Sequence, residues 1–94
     1  MRTKKENGGG TFEVGSNILI RTVTMYQVGR IRSVDADWIV LDDASWIADM
    51  GRFSTALESG ELAEVERCPS WIAVARGSIV DVVPWTHDLP KKSK

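Results

Sequence analysis

The sequence predicts a mainly β fold: a small, strongly bent barrel of five to six strands, with one short helix inserted in a loop. Two segments carry the prediction. Gly29 to Leu41 and Ile72 to Pro84 each read as two short β runs joined at a turn, with apolar residues alternating along them. Gly29 is the third observation, because a small barrel needs a place where the backbone curves tightly with no Cβ in the way. With 94 residues and 43% hydrophobic content, the chain makes one domain, near the size at which association between copies often adds stability.

Residues 1–10 are polar and end in three glycines, which predicts a flexible arm ahead of a domain over 11–86. From Val14 to Met25 the alternation supports a strand, with Ile18, Ile20 and Thr22 on one face and Leu19, Arg21 and Val23 on the other. Gly29 marks a bend. Ile31 to Val34 runs to a turn at Asp35-Ala36-Asp37, and Trp38 to Leu41 returns as the next strand, ended by the carboxylates of Asp42 and Asp43. Trp46 and Ile47 extend that strand around a corner. The helical insertion covers about 49–60: Asp49 is placed to cap a helix over Met50 to Ser59, Phe53 and Leu57 share a face, and Gly60 suits the stop. Leu62 to Arg67 alternates weakly as a further strand, broken by Cys68-Pro69-Ser70. Trp71 to Ala75 and Ser78 to Val83 are the clearest strands. Arg76-Gly77 joins them at a turn where glycine can take a positive φ, and residues 87–94 form a basic tail.

The paired segments are similar to the two signature motifs of the Sm-like family, which includes Sm, LSm and Hfq proteins. Gly29, Ile31, Val34, Asp35, Ile39, Val40 and Leu41 follow the order of the first motif. Ile72, Val74, Arg76, Gly77, Ile79, Val80 and Val82 follow the second, and Val82-Val83-Pro84 resembles the Hfq form of the last strand. The resemblance covers about half the chain. It implies a Sm-like barrel whose last strand, through Ile79, Val80, Val82 and Val83, joins the fourth strand of a neighbouring copy to close a homo-oligomeric ring. It also implies single-stranded RNA as ligand, with Asp35 orienting the loop, Trp38 stacking a base, Arg76 meeting a base or phosphate, and Gly77 permitting close approach. Arg30 and Arg32 are the next phosphate contacts. The chain has Asp37 and Trp38 near the place where Sm proteins often carry an asparagine, and Arg76-Gly77 where Hfq has a Lys-His pair.

Charge points elsewhere. The formal net charge is -1, yet between Thr11 and Pro90 there are six arginines, no lysine and twelve acidic residues, while the lysines gather in the tails. Nucleic-acid affinity rests on Lys and Arg neutralising phosphates, so an acidic body favours extended RNA contact only if Arg30, Arg32 and Arg76 meet at one site. The rival expectation is a structural or protein-interaction assembly module, for instance of phage or mobile-element origin, without nucleic-acid binding. No apolar run spans a bilayer and one cysteine makes no internal disulfide, which leads to the expectation of a cytoplasmic protein with no membrane partner.

Enzyme chemistry finds no footing in the pattern, and the expectation is that the protein is not an enzyme. His87 is the sole histidine, beside Asp88 in the basic tail, and reads as a solvated residue. Cys68 reads as a small buried hydrophobe. One Cys and one His do not make a closed zinc site, and Asp35, Asp37, Asp42 and Asp43 lack the glycine and closing glutamate of a calcium loop, so neither metal nor cofactor is expected. Four tryptophans, 38, 46, 71 and 85, divide between core and rim, with an exposed one serving as a stacking platform or an interface anchor.

Overall fold

The computed structural model describes residues 12–94; the flexible arm expected at residues 1–10 lies outside them. Six strands form one antiparallel sheet. These are β1 (Asn17–Thr22), β2 (Tyr26–Val34), β3 (Trp38–Asp49), β4 (Glu64–Arg67), β5 (Ile72–Ala75) and β6 (Ile79–Pro84), and a short helix, α1 (Phe53–Ser59), joins β3 to β4. The order is β4-β3-β2-β1-β6, with β5 pairing the first half of β3 and β4 the second half. The mainly β class and the single short helix agree with the sequence. The sheet is open, with no ladder joining β5 to β6.

β3 can serve two partners because it turns a corner. Opposite Gly29 the register slips between Val28/Ser45 and Arg30/Asp42, and Asp43 sits at φ 48°, a bulge geometry an aspartate tolerates. A Cβ at Gly29 would stand 3.0 Å from Leu41 Cβ and 3.1 Å from the Asp42 carbonyl oxygen, so glycine lets the two backbones close up at the bend. Asp42 and Asp43 therefore lie inside a continuous strand, where the sequence reading ended it.

Alternation then fills both faces of the sheet. Ile18, Ile20, Ile31, Ile39, Leu41, Ile72 and Val74 form one cluster in the hollow of the bend. Leu19, Val28, Ile47, Val65 and Trp85 form the other, covered by Ala56 of α1 and by Leu62. Each fully buried aliphatic side chain contributes on the order of 1.5–3 kcal/mol, so the two clusters hold the bent sheet.

Beside the strand end at Asp42-Asp43, local expectations are corrected at four further places. The strand read over Val14 to Met25 is a hairpin arm: Thr22 N–H donates to the Met25 carbonyl at 2.9 Å, and Val23-Thr24 is the turn. Asp49 does not cap the helix; its Oδ1 accepts from Gly51 N–H at 2.8 Å, and α1 starts after Arg52 without a side-chain cap. Gly60 does close it, at φ 80°. Gly77 lies in a 3-10 turn (Arg76–Ser78) and is not among the positive-φ residues, so the turn does not need the freedom of glycine.

The fifth correction concerns residues 87–94, which are tied to α1 and β4 by hydrogen bonds while Lys91 to Lys94 stay exposed. Trp85 is buried and its indole N–H donates to the Asp88 carbonyl at 3.2 Å. His87 Nε2 donates to the Leu57 carbonyl at 2.8 Å. Lys94 and Val65 exchange two backbone hydrogen bonds at 2.9 and 3.0 Å, and Arg67 N–H donates to Ser93 Oγ at 2.8 Å. These two residues thus cover the outer edge of β4. No helix among the described residues is long and apolar enough to cross a membrane.

Candidate functional site

Two features share one end of the sheet. The first is a stitch between the β2–β3 turn and the 3-10 turn that follows β5. Asp35 folds back so that Oδ1 accepts from Asp37 N–H and Trp38 N–H, both at 2.8 Å, the turn geometry for which aspartate is suited. Those two bonds, with the nearby Arg76 charge adding, hold its carboxyl below the usual carboxylate range. Arg76 N–H donates to the Asp37 carbonyl at 2.9 Å, Arg76 Nη1 donates to the Asp35 carbonyl at 2.6 Å, and the guanidinium lies 5.2 Å from the Phe12 ring centroid. Asp35, Trp38, Arg76 and Gly77 therefore lie at two turns that these hydrogen bonds join.

Arg30 and Arg32 do not join them. Arg30 pairs with Asp43 at 2.7 Å, and Arg32 grips Asp42 through two contacts at 2.7 and 3.1 Å. Both sit along β2 at the bend, their charge matched by the carboxylates that the β3 bulge presents. Arg21 is paired in the same way with Asp81 across the β1–β6 ladder.

The second feature is an open groove of about 700 Å³ along the free edge of β5. The Arg76 N–H to Asp37 carbonyl bond fixes the ladder phase: Val74 and Ile72 face β3, and the N–H groups of Ala73 and Ala75 face the open side. On the outer face Trp38 and Trp71, 47% and 51% exposed, flank those two alanines. On the inner face the floor includes Gln27 and Trp46, and the Val23-Thr24 turn forms the far wall. Among the described residues no charged one lines the groove, in a chain of which 27% of residues are charged.

β6 carries the residues assigned to an interface. Ile79 and Val82 pack against the core in the bend, Val83 is half-buried and Val80 is 55% exposed. One edge of β6 pairs β1 and the other has no partner among the described residues.

Sequence reasoning names Trp46 and Trp71 only among four tryptophans shared between core and rim, and it misses Gln27, Ala73 and Ala75 as groove residues. One signal was available: Gln27 is a polar residue at an inward position between apolar neighbours. No family model, no curated protein and no solved structure matches this chain.

Proposed function

We propose that this protein is a protein-interaction module that receives an extended strand of another polypeptide along the open edge of β5. The uncharged groove beside Ala73 and Ala75 carries the reading. A sheet edge presents unpaired N–H and C=O groups, a ready template for a strand of another chain unless it is blunted or covered. Lysine, proline and bulges, the usual means of blunting an edge, are absent from Ile72–Ala75, whereas the β4 edge is covered by Ser93 and Lys94. The bent sheet as a Sm-like barrel belongs to the same proposal, with the received strand occupying the side left open between β5 and the β1–β2 turn.

A second reading, a homo-oligomeric Sm-like ring that binds single-stranded RNA, is favoured by the convergence of Asp35, Trp38 and Arg76 and by the unpaired edge of β6. In that reading β6 of one copy pairs with β5 of the next and Trp38 stacks a base. The carboxylate pairing of Arg30 and Arg32 counts against extended phosphate contact.

Light scattering, an oligonucleotide titration and amide spectra separate the two. The first reading expects the mass of one chain, no tryptophan quenching by oligo-U or oligo-A at low salt, and amide shifts at Ala73 and Ala75 on adding an uncharged strand-forming peptide. Ala73→Pro should abolish the shift at Ala75 without unfolding the protein, because the Ala73 N–H it removes faces away from β3. A mass of several chains with salt-sensitive quenching would establish the second reading in its place.

A further inference from the structure

We propose that the strand received along β5 comes from a different protein, is uncharged, and carries a hydrogen-bond donor such as threonine or serine at the position facing Gln27. The inference rests on the reading of β5 as a strand-accepting edge and names the partner's chemistry. Gln27 stands in β2 with 8% exposure, and its Oε1 has no hydrogen-bond partner among the described residues. The register sets it beside Ile20 and Trp46, on the face that floors the groove. A buried carbonyl oxygen without a donor carries the full desolvation penalty of an unmade bond, and a donor arriving with the partner strand removes that penalty.

The outer wall sets the rest of the pattern. Ala73 and Ala75 have small side chains between the half-exposed Trp38 and Trp71, a recess that fits a β-branched apolar side chain between two indoles. Alternate residues of a strand point to opposite faces, so the partner presents donors inward and apolar side chains outward. Charge is disfavoured because the described residues of the groove offer no counter-ion to a desolvated carboxylate, ammonium or phosphate. β6 of a second copy fits less well: Ile79–Pro84 contains no donor side chain, and its Asp81 is already engaged by Arg21.

The full chain, nitrogen-15 labelled, is titrated with three acetylated and amidated hexapeptides that alternate Thr-Val, Ala-Val and Asp-Val. The Thr-Val peptide is expected to shift the Ala73 and Ala75 amides and to bind about tenfold more tightly than the Ala-Val peptide, as restoring one buried hydrogen bond predicts. The Asp-Val peptide is expected not to bind, and Gln27→Met is expected to erase the Thr-Val preference. The peptide comparison on the unaltered protein stands without that variant. Equal binding of the Thr-Val and Ala-Val peptides at Ala73 and Ala75 would overturn the donor requirement and leave β5 as a strand acceptor. No shift at those amides with any peptide would remove both. Concentration-dependent shifts at Ala73 and Val82 in protein alone would make the occupant a second copy and overturn the inference.

Discussion

Two glycines distinguish a residue the fold requires from one that merely sits at a turn. At Gly60 the backbone has φ 80°, and an added Cβ would come 2.7 Å from His87 Cγ, so Gly60→Ala combines backbone strain with a clash. The expected cost is about 1–3 kcal/mol in urea unfolding. At Gly77 an added Cβ meets nothing within 4 Å, and Gly77→Ala should stay within about 0.5 kcal/mol of the parent. Equal costs at both positions would contradict these environments. Asp35 acts through its charged form. Its folded pKa is lowered by the Asp37 and Trp38 amides and then by Arg76, so its stabilisation is fully present above the unfolded value of about 3.9 and is lost as pH falls through the lower folded value. The stability gap between the parent and Asp35→Ala should therefore be constant from neutral pH to mildly acidic pH and shrink in strong acid; a gap that changes near neutrality would point to another group.

At the scale of elements, the β3 corner is the critical piece, since it lets one strand serve both β4 and β5. Gly29→Ala pushes a methyl group against Leu41, Asp42 and Ala44, the last with its Cβ at 3.2 Å. Overpacking of this kind costs about 1–3 kcal/mol, and the loss should appear in the midpoint of chemical unfolding. The ladder phase gives a sharper pair of variants on β6. Trp85 N–H donates to the Asn17 carbonyl at 3.0 Å, so Val83, two residues earlier, faces β1 and Val82 faces the open edge. Val83→Pro removes a ladder bond and should destabilise strongly, whereas Val82→Pro should fold almost as the parent does. Thermal melts of the two check the phase directly.

For the molecule as a whole, the segment from Trp85 to Lys94 decides how the second face of the sheet is closed. Trp85 is 4% exposed in the cluster with Leu19, Val28 and Val65, so Trp85→Ala should cost about 3–5 kcal/mol in thermal or urea unfolding. Ser93 and Lys94 cover β4, while the outer edge of β5 has no partner among the described residues. Paired arginines give the surface little free positive charge at the bend. Both features argue for a polypeptide partner over a nucleic acid.

The β class, the corner glycine and the two-faced alternation of β1 could be read directly from the residues, because strand alternation and turn chemistry are local. Ile18 and Ile20 were placed on one face and Leu19 on the other by period alone, and both faces proved buried. The hairpin at Val23-Thr24 was hidden by the β-branched run around it. The buried orphan at Gln27, the carboxylate partners of Arg30 and Arg32, the docking of His87 on the helix end and the bare edge of β5 were all decided by tertiary structure. Each depends on which distant backbone or side chain arrives to complete a hydrogen bond or neutralise a charge, and that pairing is made only when the sheet bends at Gly29.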